Sequence, residues 1–66
     1  MRIYLNGEEA EIQGVGNVAE LVDRYHMSPQ AVLVEHNGLA LHRREWEQRI
    51  LADGDRIEVI RVVAGG

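Results

Sequence analysis

The 66-residue sequence predicts an α+β fold, with one main helix packed on a mixed sheet of four to five strands. Three observations carry this reading. Asn6-Gly7 and Asn37-Gly38 each separate two strand-like segments, the strongest short signal of a hairpin, because both turn positions want positive φ. One segment, opening at Asn17, has the apolar spacing of a helix. The run from Arg56 to Val63 is rich in β-branched residues and reads as a long final strand.

The elements follow in order. Arg2 to Leu5 alternates, placing Ile3 and Leu5 on one face and Arg2 and Tyr4 on the other. Glu8 to Ile12 returns as a second strand, polar and therefore at an edge. After the loop Gln13-Gly14-Val15-Gly16, Asn17 caps a helix, with Glu20 three residues later as its reciprocal capping partner. Val18, Leu21, Val22 and Tyr25 form one apolar stripe, and Pro29 bars the helix from running further while pushing Ser28 towards an extended conformation. Ala31 to His36 is the next strand, and Leu39-Ala40-Leu41 a short return strand. His42 to Gln48 is a loop or a single helical turn around Trp46, and Asp53-Gly54-Asp55 is a tight turn. This order is that of the β-grasp, or ubiquitin-like, fold, with the first and last strands side by side and parallel. Residues 1–66 are expected to form a single domain, with 62–66 as a flexible C-terminal tail.

Composition narrows the function. A chain this short buries only about 60% of its unfolded surface, which leaves no room for a deep internal active site and points to a carrier, subunit or binding module. The formal charge is −4, and all seven basic residues are arginine. Such a chain is a poor ligand for nucleic acid or an anionic membrane and a natural one for a basic protein surface. No apolar run approaches the roughly 20 residues that cross a bilayer, and the first residues carry no signal-peptide core, so a cytoplasmic location is expected. Cysteine is absent, which excludes disulfides and thiolate metal sites.

Several residues invite chemistry. His26, His36 and His42 are spaced by ten and six residues, which fits no short metal-ligand motif, so no metal is expected. Asp53 and Asp55 flank Gly54 and are better explained as turn residues than as a catalytic pair. Trp46 reads as a packing residue. The end of the chain, Val62-Val63-Ala64-Gly65-Gly66, is different. Its side chains shrink towards a carboxylate that stands beside no side chain, the form needed to thread a narrow tunnel and place that carboxylate against a nucleotide. On the final strand Ile57 and Val59 share the core face, which turns Ile60 and Val62 outward. Tyr4 falls outward by the same alternation, and Leu33 joins it when Val32 and Val34 point inward. Ile60, Val62, Tyr4 and Leu33, continued by Val63 and Ala64, are the candidate partner-binding residues.

The run Arg44-Glu45-Trp46 … Asp53-Gly54-Asp55-Arg56-Ile57 … Val63-Ala64-Gly65-Gly66, with the opening Ile3-Tyr4-Leu5-Asn6 and the strand ending at Asn37, resembles the ThiS family of thiamine-biosynthesis sulfur carriers. The Asp-Gly-Asp turn with a Gly-Gly end is shared with the small subunit of molybdopterin synthase, while Arg44-x-Trp46 and the short length favour the thiamine branch. The resemblance implies a protein co-substrate and not an enzyme. In it, Gly66 is adenylated by an E1-like adenylyltransferase that uses ATP, and Gly65 gives access. Sulfur from a donor such as a cysteine desulfurase then makes a thiocarboxylate, which thiazole synthase consumes. It implies no bound cofactor and a monomer when free. The alternatives left open are the molybdopterin-synthase subunit and a ubiquitin-like modifier or interaction module.

Overall fold

The two Asn-Gly dipeptides set the frame of the sheet. Asn6 and Gly7 have φ of 51° and 82°, and Asn37 and Gly38 have 51° and 86°. Both turns therefore hold their two central residues in the left-handed region, which matches the right-handed twist of the strands they join. In the computed structural model, which describes residues 1–62, the first turn joins β1 (Arg2–Leu5) to β2 (Glu8–Glu11). The second joins β3 (Val32–His36) to β4 (Leu39–Leu41). The last strand, β5 (Arg56–Arg61), lies between the hairpins and gives the order β2-β1-β5-β3-β4. It runs parallel to β1 and antiparallel to β3. This is the β-grasp arrangement that the element order predicts, and the polar β2 lies at an edge.

The helix, α1 (Val18–Arg24), is shorter than its apolar spacing suggests. Asn17 caps it as expected, accepting at Oδ1 from the Glu20 N–H (2.8 Å). Glu20, however, accepts from the Gly16 N–H (2.6 Å), one residue before the position a reciprocal capping box would use. The helix ends well before Pro29. The His26 N–H donates to the Asp23 carbonyl (2.9 Å) and the Met27 N–H to the Val22 carbonyl (3.2 Å), with His26 at φ 57°. That is a Schellman ending with histidine in the left-handed position that glycine usually takes. Tyr25 therefore falls at the C-cap and is exposed, leaving Val18, Leu21 and Val22 as the buried stripe. Ser28 is extended, with φ −75° and ψ 120°. A 3-10 turn over Pro29–Ala31 then delays the start of β3 to Val32.

Ile3 of β1, Val34 of β3 and Ile57 of β5 meet the helix stripe in the core, all essentially removed from solvent. Each such side chain contributes about 1.5–3 kcal/mol of hydrophobic stabilisation. Val32 and Leu41 of the second hairpin and loop residues Ile12, Val15 and Leu51 join them in the core. The segment around Trp46 is a 3-10 helix, Arg43–Gln48, at whose start the His42 N–H donates to Glu45 Oε1 (2.7 Å) and the His42 carbonyl accepts from the Glu45 N–H (2.8 Å). It holds Trp46 buried. The following loop is tied to the helix start by the Val18 N–H on the Arg49 carbonyl and the Leu51 N–H on the Gly16 carbonyl, each at 3.0 Å. No helix among the described residues is long and apolar enough to cross a membrane.

Candidate functional site

Strand alternation on β5 decides which side chains the outer face presents. Ile57 is fully buried and Val59 is partly buried against the core, while Arg56, Glu58 and Ile60 turn outward. Ile60 is 48% exposed and Val62 44%. On the neighbouring strand Leu33 is 56% exposed, and it is the register partner of Ile60. Two aliphatic side chains therefore stand side by side on the outer face. The Val62 N–H donates to the Ala31 carbonyl (2.8 Å), so backbone pairing continues past the end of β5. Val63, Ala64, Gly65 and Gly66 lie outside the described residues.

Tyr4 faces outward but does not join this group. It is the register partner of Arg56, four residues before Ile60, which is about 13 Å along the strand at the usual rise. Its other neighbour is Glu9 of β2. The fold thus brings together Leu33, Ile60 and Val62 and leaves Tyr4 apart, among charged residues.

The base of β5 is held by side chains that sequence reading treats only as turn formers. Asn6 Oδ1 accepts from the Val59 N–H (2.7 Å), and the Asn6 N–H donates to the Ile57 carbonyl (2.8 Å). On the other edge the Asn37 N–H donates to the Arg56 carbonyl and Asn37 Oδ1 accepts from the Arg56 N–H, both at 2.8 Å. Asp53 Oδ1 accepts from the Arg2 N–H (2.7 Å). Asp55 takes three donors: His36 Nε2 at 2.6 Å, Asn37 Nδ2 at 3.0 Å and the Ala52 N–H at 2.9 Å. Both aspartates are engaged in fixing the turn and the strands beside it. The three histidines sit on separate elements: His26 closes α1, His42 stands just before the 3-10 helix, and His36 is buried against Asp55.

Burial by itself would raise the Asp55 pKa, but the hydrogen bonds from His36, Asn37 and Ala52, with the His36 charge, more than offset it and hold the carboxyl below its ordinary 3.8. A carboxylate only accepts, so His36 Nε2 carries the proton shared with Asp55, and His36 Nδ1 is buried without a hydrogen-bond partner among the described residues. A depressed folded-state pKa means that the Asp55 contribution is fully present above the ordinary carboxylate value and is lost as pH falls through the folded value. Asp55→Asn is expected to destabilise the fold by about 1–3 kcal/mol at neutral pH, because an amide cannot accept from all three donors. Thermal melts against pH check this, and the variant should lack this part of the acid dependence.

The likeness to known proteins extends over the whole chain. The ThiS family profile matches residues 3–66. The sulfur carrier protein ThiS of Escherichia coli is 29% identical over 66 residues, with 100% of both chains covered. A thiazole synthase of Magnetococcus marinus is 30% identical over 66 residues, a match that takes in 100% of this chain and 20% of that protein. The crystal structure of the thiamine biosynthesis protein ThiS from Geobacter metallireducens is 30% identical and gives a TM-score of 0.85 over 100% of both chains. Its fold is the one built here from two Asn-Gly hairpins and a central last strand. The chain belongs to the ThiS family and is a sulfur carrier protein of thiamine biosynthesis.

Proposed function

We propose that this carrier holds its sulfur on the carboxylate of Gly66 and is loaded and unloaded by partners that dock on the outer sheet face at Leu33, Ile60 and Val62. The observation that carries the reading is the family match itself, which runs through residue 66 and so takes in Gly65 and Gly66. A carboxylate resists substitution until one oxygen becomes a leaving group. An E1-like adenylyltransferase supplies that step: a Gly66 oxygen attacks the α-phosphorus of ATP, and pyrophosphate departs. The terminal sulfur of a cysteine persulfide, made by a donor such as a cysteine desulfurase, then displaces AMP. A thiol cleaves the resulting S–S bond, leaving the thiocarboxylate on Gly66 and the two thiols joined as a disulfide. With no cysteine of its own, the chain has no thiol to compete for the activated end.

Thiazole synthase is the proposed acceptor of the sulfur. Its support is the Magnetococcus marinus protein of that name, which contains a stretch similar to this entire chain. Val63 and Ala64 lead from the docking face to Gly65 and Gly66, whose lack of side chains permits close approach to a nucleotide. The reading is tested by ATP–pyrophosphate exchange with a ThiS-family activating enzyme. Exchange that depends on the carrier supports it, and its absence with an enzyme active on other ThiS carriers contradicts it.

A further inference from the structure

The pairing register places Glu35 of β3 directly opposite Glu58 of β5, on the same outer face as Leu33 and Ile60 and one step further from the chain's end. Directly opposed side chains stand with Cβ atoms about 4.5–5.5 Å apart, and like charges there destabilise a sheet. Neither carboxylate has an ion-pair partner among the described residues. Across the strands Ala40 lies opposite Glu35 on β4 and the Asn6 turn lies beside Glu58, while the nearest cation on this face, Arg56 two residues before Glu58, makes no ion pair with either carboxylate. The contrast is Glu9 on the same face, which Arg2 meets at 3.5 Å.

We propose that Glu35 and Glu58 together receive one arginine guanidinium of the activating enzyme. This deepens the docking reading above and rests on it, adding the chemistry of the partner. A guanidinium presents several N–H donors in a planar fork and is weakly hydrated, so it bridges two adjacent carboxylates and tolerates the neighbouring Leu33–Ile60 pair. A charge pair that is unfavourable in the free carrier becomes favourable only when the partner arrives.

The test measures binding to the adenylyltransferase that supports pyrophosphate exchange. Native carrier, Glu35→Gln, Glu58→Gln, the double variant and Ile60→Asp are compared at low and high salt, with a thermal melt of each. The double variant is expected to bind about tenfold more weakly or worse at low salt, with a flatter salt dependence. Its melting temperature should equal or exceed the native value, because the opposed charges are gone. Unchanged affinity in the double variant, with binding lost in Ile60→Asp, overturns this inference and leaves the docking face standing. A lower melting temperature in the double variant also overturns it, since the pair would then serve the fold. Normal binding by Ile60→Asp overturns the docking-face reading itself.

Discussion

Removing Gly66, or adding residues after it, is expected to abolish pyrophosphate exchange and sulfur loading completely while leaving the fold intact. The chemistry needs a carboxylate at that residue; deletion moves it back to Gly65 and extension converts it to an amide. The fold is expected to stand without it. The buried core of the described residues runs from Ile3 to Ile57, and the last backbone pairing described is that of Val62 with Ala31. Changes beyond such a core alter stability by about 0.5 kcal/mol or less, a melting shift of roughly 2–4 °C in a domain of this size. Exchange assays and thermal melts on the two variants check both halves.

Ile60→Asp and Ile57→Asp are expected to fail in opposite ways. Ile57 has no exposed surface and lies in the core, so an aspartate there buries an unpaired charge. The expected cost is about 4 kcal/mol or more, comparable with the whole stability of a small domain, and the variant should be unfolded. Ile60 is 48% exposed, so its aspartate variant should melt within a few degrees of the native carrier. It should bind the activating enzyme about 2 kcal/mol more weakly, roughly thirtyfold in Kd. Val59, which alternation alone would choose as the core probe, is only partly buried and would give a blunter contrast. Thermal melts and a binding titration read out the pair.

What the sequence discloses is what local chemistry determines. The Asn-Gly turns are legible because each needs two adjacent residues that tolerate positive φ, and the hairpins follow from them. The cap at Asn17 is equally local. The end of α1 is not, because His26 occupies a left-handed position without being glycine, and Pro29, the visible stop signal, lies five residues past the last helical residue. Alternation gave the face of Tyr4, Leu33 and Ile60 correctly, but a face is only half of a location. Register sets the height along the strand, and it separates Tyr4 from Ile60 while placing Leu33 beside it. The same limit hides the His36–Asp55 contact and the Glu35–Glu58 opposition, whose partners are 19 and 23 residues apart and meet only through β3–β5 pairing. Asp53 and Asp55 were legible as turn residues; that they also tie β1 and β3 to the base of β5 was not. Gly65 and Gly66 enter the candidate site through the tail's composition and the family resemblance together, because glycine at a chain end carries no local signal of chemistry, and both lie outside the described residues.

The most direct test of a sulfur carried on Gly66 is mass spectrometry of the carrier after incubation with the activating enzyme, ATP and a persulfide donor. Intact mass should rise by the difference between one sulfur and one oxygen, and fragmentation should confine the change to the C-terminal residue. Sulfur found on any other residue, or no mass change under conditions that support pyrophosphate exchange, would contradict the account.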